Sequence, residues 1–487
     1  MTKTSSAQRI VLLVIFLVAA VVFALISFVD HYNFRSYAFD LGLFNNAIYD
    51  FAHFRSNDVT MLYPDHYTFL QTHFSLFPIL VSPLYWIFGS YTLLVFQLFS
   101  VLFGGWGVYR FIGEFTQNFT IRILGLLHFF TAWGIFSALA FDYHDNVVGA
   151  MFVPWIFYYF KKGQRLKVII FMILLLISKE NLALWAIFIF AGLAIIYRKE
   201  KIKRNLALIC SAGSLAYFML IILYVIPAFS PYSEAYTQFQ MYRTLGGSFS
   251  EVLKNIFSHP LNTLRMLFEN HSGSFYYDGI KMELHRMILL TGGFILLFRP
   301  AYFLMLIPLY LQKLLSDDPG RWGISSQYSI EFIPVLTCAL FHFIGNLREK
   351  KWVIVFAILA VLLSLNSTNS VMEKRISPWY KPEMENFLIA EHYKNHFNVK
   401  AAYKILEKIP DDAAVSAQSM LVPHLAFREK IYQFPFVGDA RYIVLIENDN
   451  PYPMHDDDYK ATLDRYLKDP SWEILLRENS FLILKKK

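Results

Sequence analysis

Residues Ile10–Val29 read IVLLVIFLVAAVVFALISFV, an uncharged run of twenty. A helix rising 1.5 Å per residue needs about twenty apolar residues to cross the hydrocarbon core, so this stretch is a membrane span. It follows a basic start, MTKTSSAQR, and no small-residue cleavage pattern follows it. It therefore reads as an uncleaved first span rather than a secretory leader.

Working outward, apolar runs of similar length recur, starting near Ile10, His73 or Tyr91, Ile121, Val147, Leu166, Leu182, Leu206, Met287, Ala301, Ser329 and Trp352. The expected fold is an all-α polytopic bundle of about eleven transmembrane helices. Two of these runs, Val147–Phe160 and Met287–Phe298, are short for a full crossing. Hydrophobic residues make up 56% of the 487-residue chain and charged residues 17%, too little polar surface for a soluble globule of this length. Nucleic acid is excluded as a partner by where the charge lies. From Val371 onward there are 17 Lys and Arg against 18 Asp and Glu, so the net +7 belongs wholly to the hydrophobic part. Cys210 and Cys338 each sit inside an apolar run, remote from any disulfide framework.

Short basic loops give the orientation, because Lys and Arg near span ends stay in the cytoplasm. Lys3 and Arg9, Arg110 and Arg122, Lys161–Lys167 (KKGQRLK), Arg198–Arg204 (RKEKIKR), Arg299 and Arg348–Lys351 (REKK) fall on one side. The expected location is a bacterial inner membrane with a cytoplasmic N-terminus. Residues 30–72, the FDYHDN and SKEN turns, residues 228–285, the SDDPGRWGISSQ loop and everything past Asn366 then lie outside.

Past Asn366 the hydrophobic density falls and prolines punctuate short elements. AAYKILEKI and DDDYKATLDRYLKD read as helices, and AAVSAQ, RYIVLIE, WEILLREN and SFLILKKK as strands. We expect two domains: residues 1–368 spanning the membrane with a large first outside loop, and residues 369–487 forming a small extracytoplasmic α/β domain. In the latter, His424 and Arg428 read as surface residues of a packed domain.

Asp40 lies in the segment that directly follows the first span, among Tyr37, Phe39, Leu41 and Phe44. Partial desolvation there makes a carboxylate a better proton acceptor. The alternative is an ordinary helix cap before Leu41. The run Phe39-Asp40-Leu41-Gly42-Leu43-Phe44-Asn45-Asn46, then His73-Phe74-Ser75, Pro78 and Pro83-Leu84-Tyr85, resembles the signature of the DUF2079 family of predicted bacterial membrane proteins. The resemblance continues through FDYHDN, Lys179-Glu180-Asn181 and VSAQSMLVPHLAFREKIYQFP.

That family is similar to the GT-C glycosyltransferases, which take sugars from polyprenyl-phosphate carriers and place an acidic residue in the first outside loop. The resemblance implies Asp40 as general base, a polyprenyl-phosphate-linked sugar as donor, and an extracytoplasmic acceptor. Where the family often continues Asp-Gln, this chain has Asn45-Asn46, which argues against a paired-carboxylate mechanism. A departing lipid phosphate requires cations or donors. Arg35, His66, His73, Lys179, Arg243 and Arg321 are the candidates. Lys179 interrupts two apolar runs, where an unpaired charge costs about 2.5–3.5 kcal/mol, and an ion pair with Glu180 or a snorkelling helix end would account for it equally. Asp142, His144 and Asp145 could hold a divalent metal ion or hydrogen-bond substrate, or simply turn the chain. Arg321 with Gln327 and Tyr328 could bind phosphate and stack a sugar, or anchor a span end. No GxxxxGK[ST], HExxH or CxxC is present. A transporter or flippase and a non-catalytic envelope-assembly protein are the competing readings.

Overall fold

The computed structural model describes residues 5–62, 67–229, 237–348, 351–377, 380–447 and 449–487. Helix dominates, and every strand of the one sheet lies between Val415 and Lys486. The first span forms a single helix, Ser6–Tyr32. Its start is fixed reciprocally: the Gln8 amide donates to Ser5 Oγ (3.2 Å) and the Ser5 amide to Gln8 Oε1 (3.0 Å).

Among the described residues, five helical stretches are long and apolar enough to cross a membrane: Ser6–Tyr32, Phe77–Ile112, Lys201–Phe229, Ser326–Gly345 and Lys351–Glu373. The pair Phe119–Phe130 and Trp133–Leu139, bent by 42°, makes a sixth if it is one span. This differs from the eleven expected. The remaining apolar runs form shorter helices: Val153–Lys162, Arg165–Leu176, Glu180–Ile196 and Pro300–Leu314, of 10, 12, 17 and 15 residues. At 1.5 Å per residue these are roughly 15–26 Å long, below the ~30 Å core. Turn chemistry cuts them. Gly163, at φ +69°, closes Val153–Lys162, its amide donating to the Phe160 carbonyl (3.1 Å) and the Gln164 amide to the Tyr159 carbonyl (3.0 Å). The Met287–Phe298 run is likewise broken, by non-helical Thr291 and by Gly292 at φ +97°.

The described chain groups into two compact units that do not follow chain order. The first comprises residues up to Ile26, Gln97–Ala228 and the stretch ending at Asn386; the second comprises Ser27–Phe96, Phe229 and Phe387–Lys487. By this grouping the tail's unit takes up the chain again at Phe387, where the sequence reading drew its boundary at 368/369, and residues 30–72 group with the tail.

In the first unit Glu180–Ile196 packs on Pro300–Leu314, with Trp185 Nε1 donating to the Met305 carbonyl at 3.0 Å. Gly192 permits that approach: a Cβ there would lie 2.6 Å from the Ala301 carbonyl oxygen and 2.6 Å from Met305 Cε. A backbone oxygen in a helix cannot yield as a flexible side chain can. Gly192→Ala should destabilise the first unit by about 1–3 kcal/mol, read as a lower thermal midpoint of the detergent-solubilised chain.

In the second unit five strands, β1 (Val415–Ala417), β2 (Ile431–Gln433), β3 (Tyr442–Ile446), β4 (Trp472–Glu478) and β5 (Phe481–Lys486), order as β2-β1-β3-β5-β4. β1 is parallel to both neighbours, and β5 is antiparallel to β3 and β4. On one face Phe434, Ile443, Leu445, Leu482 and Leu484 pack under the Asp456–Lys468 helix through Tyr459, Leu463 and Tyr466. The residues Asp456, Asp457 and Asp458 at that helix's start complement its dipole. All the tail elements read from the pattern form, and β2 is added within the FREKIYQFP run.

Candidate functional site

The sequence from Asn33 to Leu43 builds the second unit's polar site. Tyr37 is extended, and Ala38–Gly42 then forms one π-helical turn that feeds the Leu43–Ala52 helix. Asp40 lies inside that turn, half-buried, and the flanking caps are Tyr37 and Gly42, neither with a side-chain cap bond. Asp40 is thus the third residue of the π turn and does not occupy the N-cap position of either helix.

The turn is held at the carboxyl edge of the parallel strands. The Ala38 amide donates to Ser419 Oγ at 3.3 Å, and Gly42 comes so close to the Val422 side chain that a Cβ would sit 2.8 Å from its Cγ1. Strand order 2-1-3 puts the chain's reversal between β1 and β3, the place where open α/β sheets hold ligands. Gln418 ties that point shut: its Oε1 accepts from the Ile446 amide and its Nε2 donates to the Asn450 carbonyl, both at 2.7 Å. Phe39 meets the exposed Tyr452 ring edge-on at 6.5 Å. Burial, with the charge of Asp40 added, pushes the Tyr452 phenol up.

Asn45 and Asn46 are latches. Asn45 Nδ2 donates to the Pro423 carbonyl (3.1 Å), and Asn46 Nδ2 to the carbonyls of Ala426 (3.1 Å) and Arg428 (2.9 Å). Amides can donate there and carboxylates cannot. Arg35 is a clamp as well, reaching Asp30 (3.3 Å) and the carbonyls of His392 (2.8 Å), Glu391 (3.2 Å) and Lys394 (2.7 Å). His73 lies parallel to Phe44 at 6.4 Å. His66 lies outside the described residues.

Two tail residues read as surface are interior instead. Arg428 is 4% exposed and donates to the carbonyls of Leu425 (2.6 Å), Pro410 (3.0 Å) and Ala413 (2.8 Å), because the segment around it turns without regular secondary structure and its oxygens need donors. His424 stacks on His31 (4.2 Å, 12°) beside Phe34 and Tyr403, apolar and ring surfaces that the sequence pattern does not reveal. Burial first, and then His31, hold the His424 imidazole well below its usual range. A group so depressed adds stability that is complete above pH ~6.5 and is lost as the pH falls below it, by up to about 1.4 kcal/mol per pH unit. His424→Phe should flatten that acid limb in a pH series of thermal midpoints.

The first unit carries a second polar cluster. Asn146 Nδ2 donates to Glu331 Oε1 (2.8 Å) and to the Gln327 carbonyl (3.2 Å). Lys313 and Lys179 lie within electrostatic reach of the buried Glu331, and Lys313 Nζ donates to the Gly323 carbonyl at 2.8 Å. Lys179 stands extended at the entrance of the Glu180–Ile196 helix, with buried Glu180 in its first turn. Arg321 pairs with Asp318 (3.4 Å), and both Arg321 and Lys313 approach the Tyr328 ring, at 5.4 and 5.8 Å. Arg243 is exposed, bonded to Gln240 (3.2 Å), and is not among them. Sequence reading missed Lys313 and Glu331, although charges inside LYLQKLL and YSIEFIP are a membrane-site signal in themselves.

Asp142, His144 and Asp145 are not placed as a metal-ligand set. Among the described residues no group of three His, Cys, Asp or Glu is placed to hold a metal ion. Asp145 Oδ1 accepts from Tyr143 (2.6 Å), His144 stacks on Phe141 (5.4 Å), and Asp142 adopts φ +48°. Buried Gln97 clamps this turn, donating to the Asp142 carbonyl (2.9 Å) and accepting from the His144 amide (2.8 Å).

Long apolar helices with buried charges, joined to a small mixed sheet, define a helical membrane protein. The chain belongs to the family described as predicted membrane protein (DUF2079), which matches residues 30–479. No curated protein matches it. Among solved structures, the chain is similar to the Archaeoglobus fulgidus oligosaccharyltransferase, crystallised tethered through a disulfide bond to an acceptor peptide containing the NVT sequon, at 14% identity and a TM-score of 0.40, over 88% of this chain and 68% of that one.

Proposed function

We propose that the protein is a membrane glycosyltransferase that moves a sugar from a polyprenyl-phosphate-linked donor to an extracytoplasmic acceptor, with inversion. The observation that carries the reading is the setting of Asp40: a half-buried carboxylate in a π turn, held at the carboxyl edge of the tail's parallel strands. The carboxylate takes the proton from an acceptor hydroxyl. The oxygen attacks the anomeric carbon as the bond to the carrier phosphate breaks, and the phosphate leaves with the electron pair. The charge that builds on this leaving group requires cationic or hydrogen-bond-donating groups to steady it. The extracytoplasmic side for residues 30–72 and the tail follows from the basic loops. A transport reading has its own support in the buried Lys313 and Glu331.

Mass spectrometry of envelope glycans and lipids in a strain lacking the gene separates the two. Transfer predicts that one glycan or lipid loses a sugar while its lipid-linked donor accumulates. Unchanged products with a substrate stranded on one leaflet would support transport and discard the transferase.

A further inference from the structure

At the other end of the first unit's Glu180–Ile196 and Pro300–Leu314 helices, a cavity of about 510 Å³ opens between residues 195–200, 298–302 and His342. Arg198, Lys199 and Arg299 line it, and its one carboxylate, Glu200, is engaged by Lys203 at 2.9 Å. Among the described residues none of the three cations makes an ion pair with a carboxylate. His342 is oriented by the Tyr302 hydroxyl, 2.9 Å from its Nδ1. The rim is apolar and open, with Ile195 45% and Phe298 70% exposed. Seventeen helical residues separate this cavity from Lys179, roughly 25 Å along the axis, so it is not part of the cluster around Glu331.

Positive loops alone satisfy the orientation rule and require no cavity. A concave pocket that pairs uncompensated cations with a rim of exposed aliphatic and aromatic side chains fits a ligand with a phosphate at one end and acyl chains at the other. We propose that this cavity binds a phosphate-bearing headgroup, with Arg198, Lys199 and Arg299 as its counter-charges. The assignment is independent of the transferase reading.

The test uses the full chain purified in neutral detergent and native mass spectrometry with two lipids of identical acyl chains, phosphatidylglycerol and phosphatidylcholine, and separately with inorganic phosphate. The wild type should retain phosphatidylglycerol at least about tenfold over phosphatidylcholine, with the preference lost in Arg198→Gln/Arg299→Gln. Binding of inorganic phosphate by the wild type, lost in the variant, with no preference between the lipids, supports the same site with a free phosphate as occupant. Equal behaviour of wild type and variant toward all three probes overturns the proposal. Because Arg299 stands at a helix break, Arg198→Gln/Lys199→Gln, confined to exposed positions, repeats the comparison without touching the break.

Discussion

Asp40→Asn is expected to lower sugar transfer by about 10²–10⁴-fold while leaving insertion and folding intact. Asparagine matches aspartate in shape and can still accept a hydrogen bond, but it cannot take up a proton at neutral pH. The Ala38–Ser419 bond and the close approach of Gly42 to Val422 both use groups other than the Asp40 carboxylate, and asparagine keeps an acceptor oxygen in its place, so the π turn should persist. The measurement is recovery of the missing glycan product in the deletion strain carrying the variant, with expression matched to wild type. Full recovery would discard Asp40 as the base.

Arg428→Met should cost the second unit about 3–5 kcal/mol, since methionine fills much of the volume but leaves the carbonyls of Leu425, Pro410 and Ala413 without their donor. The loss should appear as a lower thermal midpoint and faster proteolytic cleavage within residues 387–487. Arg428→Lys should fall between, because one ammonium cannot reproduce a fork that reaches three oxygens. A methionine variant as stable as wild type would show that water replaces the guanidinium.

The tail was legible because its signals are local. An apolar run between turn residues gave β1, β3, β4 and β5, and an acidic first turn gave the Asp456–Lys468 helix. The short β2 carries the buried pattern Ile431-Tyr432-Gln433, in which the alternation of a half-exposed strand is missing. In the membrane part, apolar composition was plain but helix length was not, since hydropathy counts residues and does not register where a Gly163 or a Thr291-Gly292 kink ends a helix. The position of Asp40 after the first span could be read from order alone. What surrounds it could not: Ser419, Gln418 and Tyr452 are about 380 to 410 residues away, and the latch role of Asn45 and Asn46 depends on carbonyls of the 423–428 segment. Arg428 and His424 misled for the same reason, because a polar residue in an irregular segment looks solvent-facing until its partners are known.

The most direct test of the account is the side of the membrane on which the Asp40 turn lies. Both native cysteines are buried, so a Phe39→Cys variant presents one reactive thiol next to that carboxylate. A membrane-impermeant maleimide applied to intact spheroplasts should label it, and inverted vesicles should protect it. Labelling from the cytoplasmic side alone would contradict the account.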